Sequence, residues 1–189
     1  MQRAARLRAL VYPLMPPIHN RIDRDVAYVT IEASNLWASF ARSLFLSCVF
    51  SAKQESGPRV KAATTFPSVN AAIAFAATTI KPRGGEPNWG DPGILLILLK
   101  TAGVSNIANV RAALSYSTTV FRGLPTMRNF FAHRSEVSVR KTARVARLLG
   151  VSVRLRPSEI LCSRSPGRPQ NIITDWIDDI RNVIQLACQ

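Results

Sequence analysis

Acidic residues are scarce in this chain. In 189 residues, 11 Asp and Glu stand against 25 Lys and Arg, which leaves a formal charge of +14 and a pI near 11.2. That excess is more than colloidal solubility requires and points to an anionic partner; nucleic acid is the commonest, with an acidic protein and a membrane surface as alternatives. Histidine is scarcer still, with two residues, and no carboxylate pair stands at ligand spacing, which argues against a protein-made zinc site or any metal or cofactor. The three cysteines, Cys48, Cys162 and Cys188, form no CxxC and no Cys/His pair, so they read as reduced core thiols of a cytoplasmic protein. Long hydrophobic runs are missing too: stretches such as ILLILL at 94–99 fall far short of the ~18 residues of a membrane span. The basic start of the chain is broken by Pro13, Pro16 and Pro17 and is followed by no A-x-A site, so a secretory signal is not expected. A P-loop, a GxGxxG after a strand and a GxSxG elbow are all absent, which removes the enzyme classes built on them.

What is present reads as helix. The length suits one domain able to bury roughly two thirds of its unfolded surface. Residues 1–24 read as an irregular segment and 25–189 as a single helical domain. From Val26 through Val29, Ala33, Leu36, Trp37, Phe40 and Leu44 an apolar stripe recurs at helical spacing, with Glu32, Asn35, Ser39 and Arg42 as a polar row opposite. That row is a solvated face or a support for a site. Ser68 is placed to cap a helix of small apolar residues, Asp91–Pro92 to start another that Gly103 ends, and Ser105 to cap the next. Gly123 and Pro125 predict a chain reset, with Pro125 in the first turn of a helix containing RNFFAH. Beyond it Val139, Ala143, Ala146 and Leu149 line one side of a helix, and Arg140, Arg144 and Arg147, with Lys141 beside them, the other. VSVRLR at 151–156 alternates as a short strand does. The expectation is an all-α bundle of about five to six helices with at most a short strand pair.

The segment TMRNFFAHRS, 126–135, holds one of the two histidines. At about 100° per residue, Asn129 and His133 lie about 40° apart on one face, whereas Arg128 is about 140° from His133. Arg128 therefore reaches His133 only through its long side chain, a local distortion or a second copy of the chain. Phe130 and Phe131 point apart, so one of them packs inward. Histidine moves protons near neutral pH, arginine holds phosphate oxygens bidentately, and asparagine orients either one. Because RNA carries its own 2′-OH nucleophile, these three residue types suffice to cleave it. The plainer reading is a capping and surface cluster.

RNFFAH resembles the R-N-x-x-x-H form of the Rx4-6H motif of HEPN domains, all-helical domains of prokaryotic toxins, antiphage defence systems and CRISPR-associated ribonucleases. The lead-in from GILLILLKTAG to VFRGLPTMRNFFAHRS is similar to that family's, and the resemblance covers roughly Asp25 to Leu149. It implies a homodimer in which each copy supplies Arg128, Asn129 and His133 to one cleft. The implied activity is metal-independent endoribonuclease action leaving a 2′,3′-cyclic phosphate and a 5′-hydroxyl. Arg134, Arg140, Lys141, Arg144 and Arg147 would then bind RNA, and Glu32, Asn35 and Arg42 would support the site. Some members pair with nucleotidyltransferase antitoxins that modify a tyrosine in R-x4-H-x-Y; Arg134 and Ser135 follow His133 here, so that tyrosine is absent. An antitoxin or a defence-complex protein remains an implied partner. Two other readings compete: a non-catalytic binding or scaffold module relying on Trp37, Trp89 and the basic stripe, and DNA binding through 138–149, which lacks a recognisable turn and second helix.

Overall fold

The stripe from Val26 to Leu44 becomes one face of a single long helix. The structure, a computed structural model describing residues 20–53, 57–82, 85–116 and 118–189, is all-α. Among the described residues there are eight helices where five or six were expected: α1 (Asn20–Val49), α2 (Val69–Ile80), α3 (Pro92–Thr101), α4 (Ile107–Ser115), α5 (Thr118–His133), α6 (Glu136–Leu148), α7 (Pro157–Cys162) and α8 (Ile172–Cys188). The six residues of α7 are too few to show a period in the sequence. Of the irregular segment expected over 1–24, residues 1–19 lie outside the described residues and 20–24 already belong to α1. The described residues form two compact units, one of residues 20–36 and 118–181 and the other of the described residues of 37–116 with 182–189.

In the first unit, α5 packs on α6, and α6 on α7. Val120, Leu124, Met127 and Phe131 form the buried face of α5 at spacings of three and four. The expected reset at Gly123 and Pro125 does not occur, because α5 runs through both. Helical propensity opposes each residue, but the apolar face continues across them and burial prevails. Gly123 is buried, and a Cβ there would stand 2.4 Å from two ring carbons of Trp176. Pro125 sits on the exposed side.

The buried face of α6 is rotated from the expected one. Ser138, Thr142, Val145 and Ala146 are inside, while Val139 is exposed. Burying two hydroxyls is tolerated because Ser138 Oγ donates to Ser135 O (2.6 Å) and Thr142 Oγ1 to Val139 O (2.7 Å). Residues 151–156 form a turn instead of a strand. Gly150 at φ +70° ends α6, Ser152 Oγ accepts from Arg154 N, and Leu155 N donates to Ser152 O. Among the described residues no neighbouring strand offers a ladder, so the local hydroxyl bond prevails over the alternating pattern. Arg156 then leads into α7, its backbone N–H and guanidinium both bonded to Glu159 (2.7 and 2.9 Å).

In the second unit α3 packs on both α2 and α4. The caps expected for α2 and α3 are present: Ser68 accepts from Ala71 N, and Asp91 accepts from Gly93 N. Gly103, at φ +65°, ends α3, with its missing Cβ facing Ala63. Ser105 does not cap α4. Its hydroxyl accepts from Lys61 N (3.0 Å) while Ser105 N donates to Lys61 O (2.8 Å), fastening two loop segments together. Cys48, in this unit, and Cys162, in the first, are buried, and burial pushes both thiols up to about 11; Cys188 is exposed, so only two of the three are core thiols.

Candidate functional site

The last two turns of α5 present RNFFAH with Met127 and Phe131 turned inward, which leaves Asn129 and His133 exposed and Arg128 half-buried. Phe130 is half-buried and meets Phe131 edge-on at 5.1 Å between ring centres, so one phenylalanine is core and the other supports it. Arg128 Nη1 donates to Asn129 Oδ1 at 3.3 Å. The bond ties the Arg128 guanidinium to its neighbour Asn129. His133 makes no side-chain hydrogen bond or ion pair with another described residue, so its imidazole is available to a ligand.

Immediately after His133 the chain reverses. Arg134 adopts a left-handed φ of +41° and donates its N–H to Phe130 O (2.7 Å), while Ser135 caps α6 by accepting from Ser138 N (3.2 Å). A two-residue connection therefore joins the histidine to the basic helix. Arg140, Lys141, Arg144 and Arg147 are all exposed. Arg140 pairs with Glu136 one turn earlier, and the other three have no acidic partner among the described residues.

Comparisons with protein-family models, with curated proteins and with solved structures found no match.

The polar row of α1 separates into two roles. Asn35 Nδ2 donates to Glu32 Oε1 at 3.3 Å in the first unit. Arg42, in the second unit, holds Glu86 with two hydrogen bonds (2.8 and 3.0 Å), and the same carboxylate accepts from Trp89 Nε1 (2.8 Å). These bonds hold the Glu86 carboxyl below its usual range and the Arg42 guanidinium above its own. Trp37 adds a bond from Nε1 to Gly90 O (3.1 Å), and Trp89 packs against Phe45. Arg42 therefore ties down the 85–91 loop. With Trp37 2 % exposed and Trp89 7 %, neither tryptophan offers a docking surface.

One arrangement escaped the sequence reading. Asp175, Asp178 and Asp179 have the placement of helix-dipole partners at the start of α8, yet Asp175 and Asp179 also line a cavity with Trp176 and Arg168. The signal was the spacing of Ile172, Asp175, Trp176 and Asp179, which puts two carboxylates on the same face as a large aromatic.

Proposed function

We propose that the chain is a metal-independent endoribonuclease of HEPN type, acting as a toxin or antiphage defence component, with an active site completed by a second copy. The observation that carries this reading is the solvent-facing set of Arg128, Asn129 and His133, joined by two residues to a helix with an exposed cationic stripe. In the reaction His133 takes the proton of a ribose 2′-OH or gives one to the leaving 5′-oxygen. The 2′-oxygen attacks phosphorus, the bond to the 5′-oxygen breaks, and a 2′,3′-cyclic phosphate and a 5′-hydroxyl result. Arg128 holds the phosphate oxygens as charge builds on them, and Asn129 orients Arg128 through the bond they share. Arg134, Lys141, Arg144 and Arg147 follow the strand through its phosphates.

The deciding experiment incubates the purified protein with RNA in EDTA and maps the ends of the fragments. Cleavage leaving cyclic phosphates, reduced on the order of 10²–10⁴-fold in His133→Ala, is expected for general acid–base catalysis. Intact RNA with the wild-type protein under dimer-forming conditions would overturn the catalytic reading. Lys141, Arg144 and Arg147 of α6, without an acidic partner among the described residues, favour a second reading, a non-catalytic RNA-binding subunit of a defence complex. Binding without cleavage, equal in wild type and His133→Ala, is its signature.

A further inference from the structure

The outer side of α6 carries more than charge. Val137, Lys141, Arg144 and Leu148 recur at spacings of three and four and, at about 100° per residue, share a sector of the helix about 60° wide. Lys141 and Arg144 are exposed and have no acidic partner among the described residues, and the exposed Arg147 stands beside them. Both ends of the sector are aliphatic. Val137 is 64 % exposed and Leu148 41 %, and at 1.5 Å per residue they stand about 16.5 Å apart along the axis. A single exposed aliphatic residue needs no explanation. Here two of them bracket two cations on one line of a helix whose other side, with Val145 and Ala146, is already packed in the core.

Charge complementarity calls for an anionic occupant, and the aliphatic pair decides which kind. RNA phosphates pair with the cations and give Val137 and Leu148 nothing; surfaces that hold bases do so on aromatic rings, and α6 has none. A helix that lies in an anionic membrane surface buries a broad apolar face there. The broad apolar face of α6 is spent on the core, which leaves two aliphatic residues. A second copy brings the same cations and a net charge of +14 of its own, which opposes contact. A protein segment with carboxylates between two apolar residues complements all four positions. In an α-helix laid along α6 its apolar residues stand three turns apart, with carboxylates one and two turns in from the end, which repeats the spacing of α6 itself.

We infer that this side of α6 docks an acidic amphipathic helix of a protein partner. Lys141 and Arg144 hold its carboxylates and set the register, and Val137 and Leu148 receive its apolar residues. Such a partner covers the cations assigned above to RNA phosphates and so keeps RNA off them. That exclusion rests on the RNA reading of α6, whereas the docking itself does not.

The test titrates the full chain into labelled helical peptides and follows anisotropy. The probe is an alanine- and glutamine-based helix, blocked at both ends, with two leucines three turns apart and two glutamates between them on the same face. One control replaces the leucines by serine and the other replaces the glutamates by glutamine. The probe is expected to bind on the order of tenfold more tightly than either control. Val137→Ser with Leu148→Ser, shown to be folded by circular dichroism, should bring it down to the level of the serine control while the affinity for a 2′-O-methyl oligouridylate stays unchanged. Displacement of that oligonucleotide by saturating probe supports a shared set of cations; docking without displacement supports the surface and overturns the exclusion of RNA. An oligonucleotide that does not bind at all counts against the RNA reading and leaves the docking to the peptides. Equal binding of the probe and the serine control overturns the inference, and so does a preference that survives in the folded double variant. A loss of oligonucleotide affinity in that variant assigns the aliphatic pair to RNA and overturns it too. Phosphatidylglycerol vesicles that bind the wild type and not the double variant overturn it in favour of a membrane. Should the double variant fail to fold, the peptide comparison on the wild-type protein decides alone.

Discussion

Replacing Gly123 by alanine sets two effects of known size against each other. In a helix interior the change normally gains about 0.8–1 kcal/mol, since alanine is the better helix former. At this position the new methyl would stand 2.4 Å from Cη2 and Cζ2 of Trp176 and 3.2 Å from Cγ1 of Val145. Ordinary contact begins near 3.4 Å, so the ring must retreat by about 1 Å, and the buried Trp176 can do so only by disturbing its own packing. Overpacking of this kind costs typically 1–3 kcal/mol. A cost near the upper end of that range leaves Gly123→Ala destabilised by about 1–2 kcal/mol, a fall in Tm of roughly 2–8 °C for a chain of this size. Urea denaturation of the four proteins in a double-mutant cycle with Trp176→Phe measures it directly. In the phenylalanine background the clashing carbons are gone, and the alanine should turn neutral or stabilising, a coupling of about 1–3 kcal/mol. An alanine variant as stable as the wild type, or one whose effect is the same in both backgrounds, would show that the indole does not lie over Gly123.

Pro125 is the counterpart: it is exposed, inside the same helix and without a backbone donor, so Pro125→Ala should raise Tm, with a gain of about 2 kcal/mol after the entropy that proline removes from the unfolded chain is subtracted. Glu86 and Glu159 are each held below the usual carboxylate range, chiefly by hydrogen bonds from Arg42 and Arg156. A depressed carboxylate contributes stability that is present above its unfolded pKa, about 4.3, and is lost as the pH falls through the folded value. Melting scans should therefore show Tm falling as the pH drops below about 4.3, with a shallower fall in Glu86→Gln. A thiol reagent at pH 8 should label Cys188 rapidly and the buried Cys48 and Cys162 only on unfolding, read as one fast equivalent by mass spectrometry. If α6 tracks phosphates, Arg144→Ala with Arg147→Ala should lower the slope of log K against log salt by about 1.4 on single-stranded RNA while leaving Tm nearly unchanged.

Much of the architecture was legible wherever a local rule acts alone. The stripe of α1 fixes its face by period, and Ser68, Asp91–Pro92 and Gly103 act within a turn of their own position. Legibility failed where two rules met. Pro125 fits the first turn of a helix by propensity, but the continuity of Val120, Leu124, Met127 and Phe131 carries the helix through it. Residues 151–156 have a strand's alternation and, among the described residues, no strand to pair with. Ser138 and Thr142 displaced Val139 from the core because their hydroxyls find carbonyls three residues back, at Ser135 and Val139. Arg42 could not be matched with Glu86 in advance, since they are 44 residues apart and neither lies in a pattern that names the other. In the candidate site the shared face of Asn129 and His133 was legible from the helical angle. The bond from Arg128 to Asn129 was not, because it depends on a rotamer.

The loop at 85–91 has the composition of a linker, and a protease would be expected to find it early. It is tied by the Arg42–Glu86 pair, by Trp89 packed on Phe45, and by the bond from Trp37 to Gly90. A backbone that must enter a protease cleft has to leave those three anchors together, and two of them are buried tryptophans of the unit's core. Nicking between Gly85 and Asp91 would then keep time with the unfolding of the second unit, so that the cleavage rate reports the opening equilibrium of that unit and not the looseness of a loop.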